Sequence, residues 1–83
     1  MSEEDRLVQD ILFFVGDQED GYGLNPSVRE IGNSVKIVSM SKITSILNDM
    51  AALENDLLDK PAAGKHRGYR LSQHGRDIYE RYK

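Results

Sequence analysis

The stretch Asn25-Pro26-Ser27-Val28-Arg29-Glu30-Ile31-Gly32, followed by Ser39-Met40-Ser41-Lys42-Ile43, holds two helix starts a short distance apart. Ser27 with Glu30 three positions on is the reciprocal capping-box pattern: the serine oxygen takes one free backbone N–H and the carboxylate takes another. Val28, Ile31 and Val35 mark the buried stripe of a short helix, and Gly32 permits close approach of a neighbour. Ser39 is a further cap. Beyond it Ile43, Leu47, Met50, Leu53 and Leu57 keep helical spacing, with Ile46 widening the face, which predicts a third helix from about residue 40 into the mid-fifties. The opposite face of that helix carries Ser41, Lys42, Thr44, Ser45 and Asn48, all polar and mostly short.

Upstream, Ser2-Glu3-Glu4-Asp5 is a helix start, a cap followed by acids at the positive end of the helix dipole. Leu7, Val8, Ile11, Leu12, Phe14 and Val15 give it an amphipathic face, and the helix is expected to end in or just before the glycine-rich stretch Gly16 to Gly23. Downstream the period changes. Leu57 to Lys60 and Tyr69 to Leu71 read as two strands around the loop Pro61 to Gly68, which contains Lys65, His66 and Arg67. Ser72 caps a last short helix, about 73–82, with Ile78, Tyr79 and Tyr82 on its apolar side.

Helix, helix, turn, helix, two-stranded hairpin is the order of a winged helix, a mainly α (α+β) fold: here one domain over residues 1–83, with a helix-turn-helix at about 27–56, a wing at about 57–72 and a C-terminal helix. In such a domain the third helix enters the DNA major groove and the hairpin loop touches the flanking backbone. Serine, threonine, asparagine and lysine suit that helix because they read base edges or bind phosphate. A merely solvated face accommodates the same residues.

Pro26-Ser27-Val28-Arg29-Glu30-Ile31-Gly32 with Ser39-Met40-Ser41-Lys42-Ile43 resembles the DNA-binding domain of LexA-type repressors, over about residues 7–50. Ile11-Leu12-Phe13-Phe14-Val15 and Gly21-Tyr22 fit the same pattern, and Gly68-Tyr69-Arg70-Leu71-Ser72-Gln73-His74-Gly75-Arg76 is similar to the strand-to-helix ending of many winged-helix regulators. The resemblance implies base contacts from Ser39, Ser41, Lys42, Thr44 and Ser45, which Asn48 extends along the same face. It implies phosphate contacts from Arg29 and, in the wing, Lys65, His66 and Arg67; the DNA-binding reading adds Arg70 and Arg76 in support. Three departures limit it. Lys36 stands where the family has the glycine of the turn, the third helix is expected to be about one turn longer, and the 83 residues contain no counterpart of the self-cleaving peptidase domain.

Charge bears on the partner. The chain has 11 basic and 14 acidic side chains, a net of −3, which taken alone argues against a polyanion. Up to residue 59 the only cations are Arg6, Arg29, Lys36 and Lys42 among many acids, whereas Lys60, Lys65, Arg67, Arg70, Arg76, Arg81 and Lys83 crowd the end. That asymmetry points to a partner surface at the basic end. At 83 residues the chain has room for one core and no deep substrate pocket. With no cysteine, thiolate sites and disulfides are excluded. His66 and His74 lack a third ligand at metal-binding spacing, no phosphate-binding glycine loop occurs, and no nucleophile has an orienting base.

The reading is therefore not an enzyme, with no cofactor, metal, small-molecule substrate or membrane partner. It is a small sequence-specific regulator of transcription that binds double-stranded DNA, prokaryotic or phage, and cytoplasmic because the longest apolar run, Ile11 to Val15, is too short for a membrane span. The C-terminal helix is the candidate homodimer contact, with core packing as the other role for Tyr79 and Tyr82. The rival reading is a protein-interaction module without DNA binding, an anti-repressor or an assembly subunit, which the acidic first 59 residues favour.

Overall fold

The computed structural model describes residues 2–61 and 68–83. The chain is mainly helical with a small antiparallel sheet: α1 Glu3–Tyr22, α2 Val28–Ser34, α3 Met40–Ala51, β1 Leu58–Asp59, β2 Arg70–Leu71 and α4 Gln73–Tyr82. All four helices begin at a serine whose hydroxyl accepts a backbone N–H: Ser2 from Asp5, Ser27 from Glu30, Ser39 from Lys42 and Ser72 from Gly75. The capping box of α2 is complete, since Glu30 Oε1 also accepts the Ser27 N–H at 3.1 Å. One core joins Ile11, Leu12 and Val15 of α1, Ile31 of α2, Ile43, Ile46, Leu47 and Met50 of α3, and Leu58, Tyr69, Leu71 and Tyr79 beyond.

Two helix ends are set by contacts that lie outside the helix itself. The first helix runs through the glycine-rich stretch to its far end, where Gly23 at φ 65° sends its N–H back to Glu19. Gly16 is thus a mid-helix residue and not a turn. Its missing side chain seats the Tyr79 ring, which a Cβ there would overlap. The third helix stops at Ala51, about a turn short of the expected mid-fifties. Ala52 leaves the helical region at ψ 150°, Asn55 and Asp56 turn back on the Ala52 carbonyl, and the Leu57 N–H returns to the Met50 carbonyl at 2.8 Å. Leu53, expected on the apolar stripe, is 96% exposed, and Leu57 reaches the core from outside the helix.

The turn between α2 and α3 keeps a glycine-like shape without glycine. Lys36 sits at φ 60°, with its N–H donating to the Asn33 carbonyl and the Ile37 N–H donating to the Gly32 carbonyl. These paired bonds are a Schellman ending, whose left-handed position normally falls to glycine. A side chain there costs about 1–2 kcal/mol, so the tertiary contacts of Ile37 and α3 hold the backbone in place.

The strands are shorter than the sequence pattern suggests, two residues each, with Leu58 opposite Leu71 and Asp59 opposite Arg70. The segment leading into β2 also bonds to the start of α2: the Pro26 carbonyl accepts the N–H groups of Gly68 and Tyr69. Ser72, 3% exposed, links three elements through one hydroxyl, which accepts the Gly75 N–H and donates to the Asp56 carbonyl. At Gly75 a Cβ would collide with the Leu57 carbonyl, a backbone group that cannot rotate away. Denaturant unfolding should separate these positions. Gly75→Ala and Gly16→Ala are each expected to lose about 2–3 kcal/mol by overpacking. Gly21→Ala, with open space around it, should gain up to about 1 kcal/mol, and Lys36→Gly about 0.5–1 kcal/mol by relief of the left-handed strain.

Candidate nucleic-acid interface

The exposed face of α3 displays Ser41, Lys42, Ser45 and Asn48, as the spacing predicts, and Thr44 lies half-buried at its border. Ser39 is exposed, but its oxygen is already engaged, as cap to the Lys42 N–H and in a 3.2 Å bond with the Ser41 hydroxyl. Two shallow hollows flank this face. One, beside the start of α1, is lined by Glu3, Glu4, Leu7, Lys42, Ser45, Ile46 and Asp49. The acids that favour the start of α1 therefore stand next to the middle of α3. The other, along α2 and the turn, is lined by Arg29, Gly32, Asn33, Lys36, Ile37, Val38 and Met40.

Among the described residues Arg29, Lys36 and Lys42 form no ion pair. Three cations thus surround the N-terminus of α3, where the helix dipole adds its own positive end. Polarity-based reading of α3 passed over two neighbours in this region, Val38 at 96% exposure and Met40 at 49%. Both precede the apolar stripe, so periodicity carries no sign of them.

Two cations of the basic end, Arg76 and Lys83, are engaged with acids. Arg76 reaches Glu19, Asp20 (2.9 Å) and Glu80 (3.2 Å), and Lys83 reaches Glu80 (3.3 Å) and Asp20 (3.5 Å). Both cations also lie over the Tyr79 ring, 5.4 and 5.5 Å from its centroid. These groups neutralise the acids at the end of α1, about 20 Å along the helix from Glu4. Arg70 faces Asp59 at 3.7 Å with both side chains largely in water, an arrangement worth little energetically. The expected wing contacts Lys65, His66 and Arg67 lie outside the described residues.

The same cluster perturbs its titrating groups, among them Asp20 and Tyr79. The hydrogen bond from Arg76 holds the Asp20 carboxyl below its ordinary range. Tyr79 donates its hydroxyl to Asp17 at 2.7 Å, and that bond, with burial, pushes the phenol up to about 12. A phenol raised from 10 to about 12 gives stability that is complete below pH 10 and is lost as pH rises towards 12. A lowered carboxyl gives stability present above the ordinary carboxylate pKa of about 4 and lost as pH falls below it. Melting temperature should therefore decline at both extremes. Tyr79→Phe should flatten the alkaline decline and remove the last tyrosinate absorbance step, and Asp20→Asn should flatten part of the acid decline.

Among the described residues no helix is long and apolar enough to cross a membrane, and no group of three metal-ligating side chains occurs. Comparison with protein-family models, curated proteins and solved structures finds no match.

Proposed function

We propose that the chain is a winged helix of the LexA-repressor type that binds double-stranded DNA as a small transcriptional regulator. The third helix enters the major groove by its N-terminal half, and the loop between β1 and β2 follows the flanking backbone. The observation that carries this reading is the set of unpaired cations Arg29, Lys36 and Lys42 around the start of α3, beside an exposed row of Ser41, Ser45 and Asn48. The order of elements and the pairing of the Pro26 carbonyl with the backbone entering β2 support it. Glu3, Glu4 and Asp49 near Lys42 repel phosphate, so the C-terminal half of α3 stays farther from the duplex and non-specific affinity is modest.

A homodimer belongs to this reading, because one small module seldom supplies enough affinity and two would span half-sites about 10 bp apart. The surface for it is an apolar groove between α1 and α4, lined by Val8, Leu12, Phe13, Leu57, Ile78 and Tyr82, with Asp5 on one lip. Arg81, next to Tyr82, is exposed and makes no ion pair among the described residues. In the proposed dimer Asp5 of one copy pairs with Arg81 of the other, a contact that a two-fold axis would form twice. In sedimentation experiments Arg81→Glu should weaken the dimer and the added change Asp5→Arg should restore it.

Titration of labelled DNA across a salt series tests the main reading. Affinity should fall steeply with salt, and Arg29→Ala or Lys42→Ala should lower the slope by about one unit each. Absence of binding to genomic or random DNA at low salt overturns it and favours a protein-contact module, the second reading that the acids beside α3 and the apolar groove support.

A further inference from the structure

The α2–α3 hollow combines features that a simple phosphate clamp does not need. Val38 projects almost wholly into water and Met40 is half in it, in one hollow with Arg29 and Lys36, and Lys42 follows Met40 in the first turn of α3. Leu24 and Leu53 are also exposed, but neither lines this hollow, where Val38 and Met40 stand outside next to the cap of α3 and away from the apolar groove between α1 and α4. Neither side chain is needed to close the turn. The Schellman bonds run through the backbone of Asn33, Gly32, Lys36 and Ile37, and Ser39 caps α3.

An apolar tip that shares a hollow with two cations and has a third in the adjoining helix turn suits a surface that is anionic over a wide area and apolar at one spot. The major groove of DNA has that character, because phosphates line its rims and the thymine C5-methyl is the one apolar group on its floor. We propose that Val38 and Met40 are specificity-determining residues that pack on thymine methyl groups in the major groove, so that the bound site requires thymine at one or two positions. The inference rests on the DNA-binding reading. It adds a source of discrimination that the hydroxyl-rich face of α3 lacks, since serine hydroxyls pair with any base edge, whereas a methyl contact separates thymine from cytosine and from uracil.

The test begins with selection of bound duplexes from a random pool by the full chain. Each thymine of the selected site is then replaced in turn by uracil, which removes the methyl group and leaves every hydrogen-bonding atom in place. Affinity should fall about fourfold at one or two positions, the equivalent of one buried methyl group. Val38→Ala or Met40→Ala should weaken binding to the thymine site and abolish the thymine–uracil difference at the same positions. The high exposure of Val38 leaves the fold intact in its variant, which circular dichroism and melting check. Retained binding with no sensitivity to uracil at any position overturns the methyl contact while leaving the DNA reading standing. A chain that selects no DNA at low salt overturns both, and the Val38–Met40 tip then belongs to a protein contact.

Discussion

Glu19 is the group on which the arrangement of the chain turns. One of its oxygens accepts the Leu71 N–H at 3.1 Å and the other meets the Arg76 guanidinium, so a single carboxylate fastens the end of α1 to β2 and to α4. Arg76 in turn holds Asp20 and Glu80 and lies over Tyr79, whose hydroxyl reaches Asp17. None of this is possible unless backbones approach closely at two places, Gly16 under the Tyr79 ring and Gly75 against the Leu57 carbonyl. A domain of this size buries little apolar surface, so a partly buried network that closes the chain end on the first helix has a large share in specifying one structure. A partner removed from such a network leaves a charge without compensation in a low-dielectric setting, which is why its members depend on one another.

The clamp also decides which charges are free. Arg76 and Lys83 are paired with the acids at the end of α1, whereas Arg29, Lys36 and Lys42, on α2, the turn and the start of α3, make no ion pair among the described residues. The acids Glu3, Glu4 and Asp49 lie on the other side of Lys42. A net acidic particle with one cationic edge orients itself towards a polyanion by that edge alone, since its remaining surface is repelled and the effect extends about 8–10 Å at ordinary ionic strength. On the proposed function, selectivity in approach and weak non-specific binding have this common origin.

Much of the fold was legible because the signals are local. Four serine caps, the capping box of Ser27 and Glu30, and the stripes of α1 and α3 depend on residues three or four positions apart, and the structure contains all of them. Errors came where distant residues intervene. The end of α1 does fall in the glycine-rich stretch, as expected, but at its far side, with Gly16 kept helical beneath the Tyr79 ring. Leu53 continues the period of α3, but the Met50 carbonyl is taken by the Leu57 N–H and the helix has already ended. Of the candidate interface, the polar face of α3 and Arg29 were legible. Val38 and Met40 were not, because an apolar residue in sequence carries no mark of being left outside.

What the sequence by itself determined is the set of elements and their boundaries at the N-terminal side, since caps and periodicity act within a helix turn and need no partner. The tertiary structure alone decided that α3 stops at Ala51, that Gly16 stays helical, which turn Lys36 must adopt, and which of the described cations are paired. Those outcomes depend on packing and charge pairing between residues far apart in the chain. Two cations of the basic end, Arg76 and Lys83, became part of an internal clamp, and three cations of the acidic half, Arg29, Lys36 and Lys42, stand exposed about α2 and the start of α3.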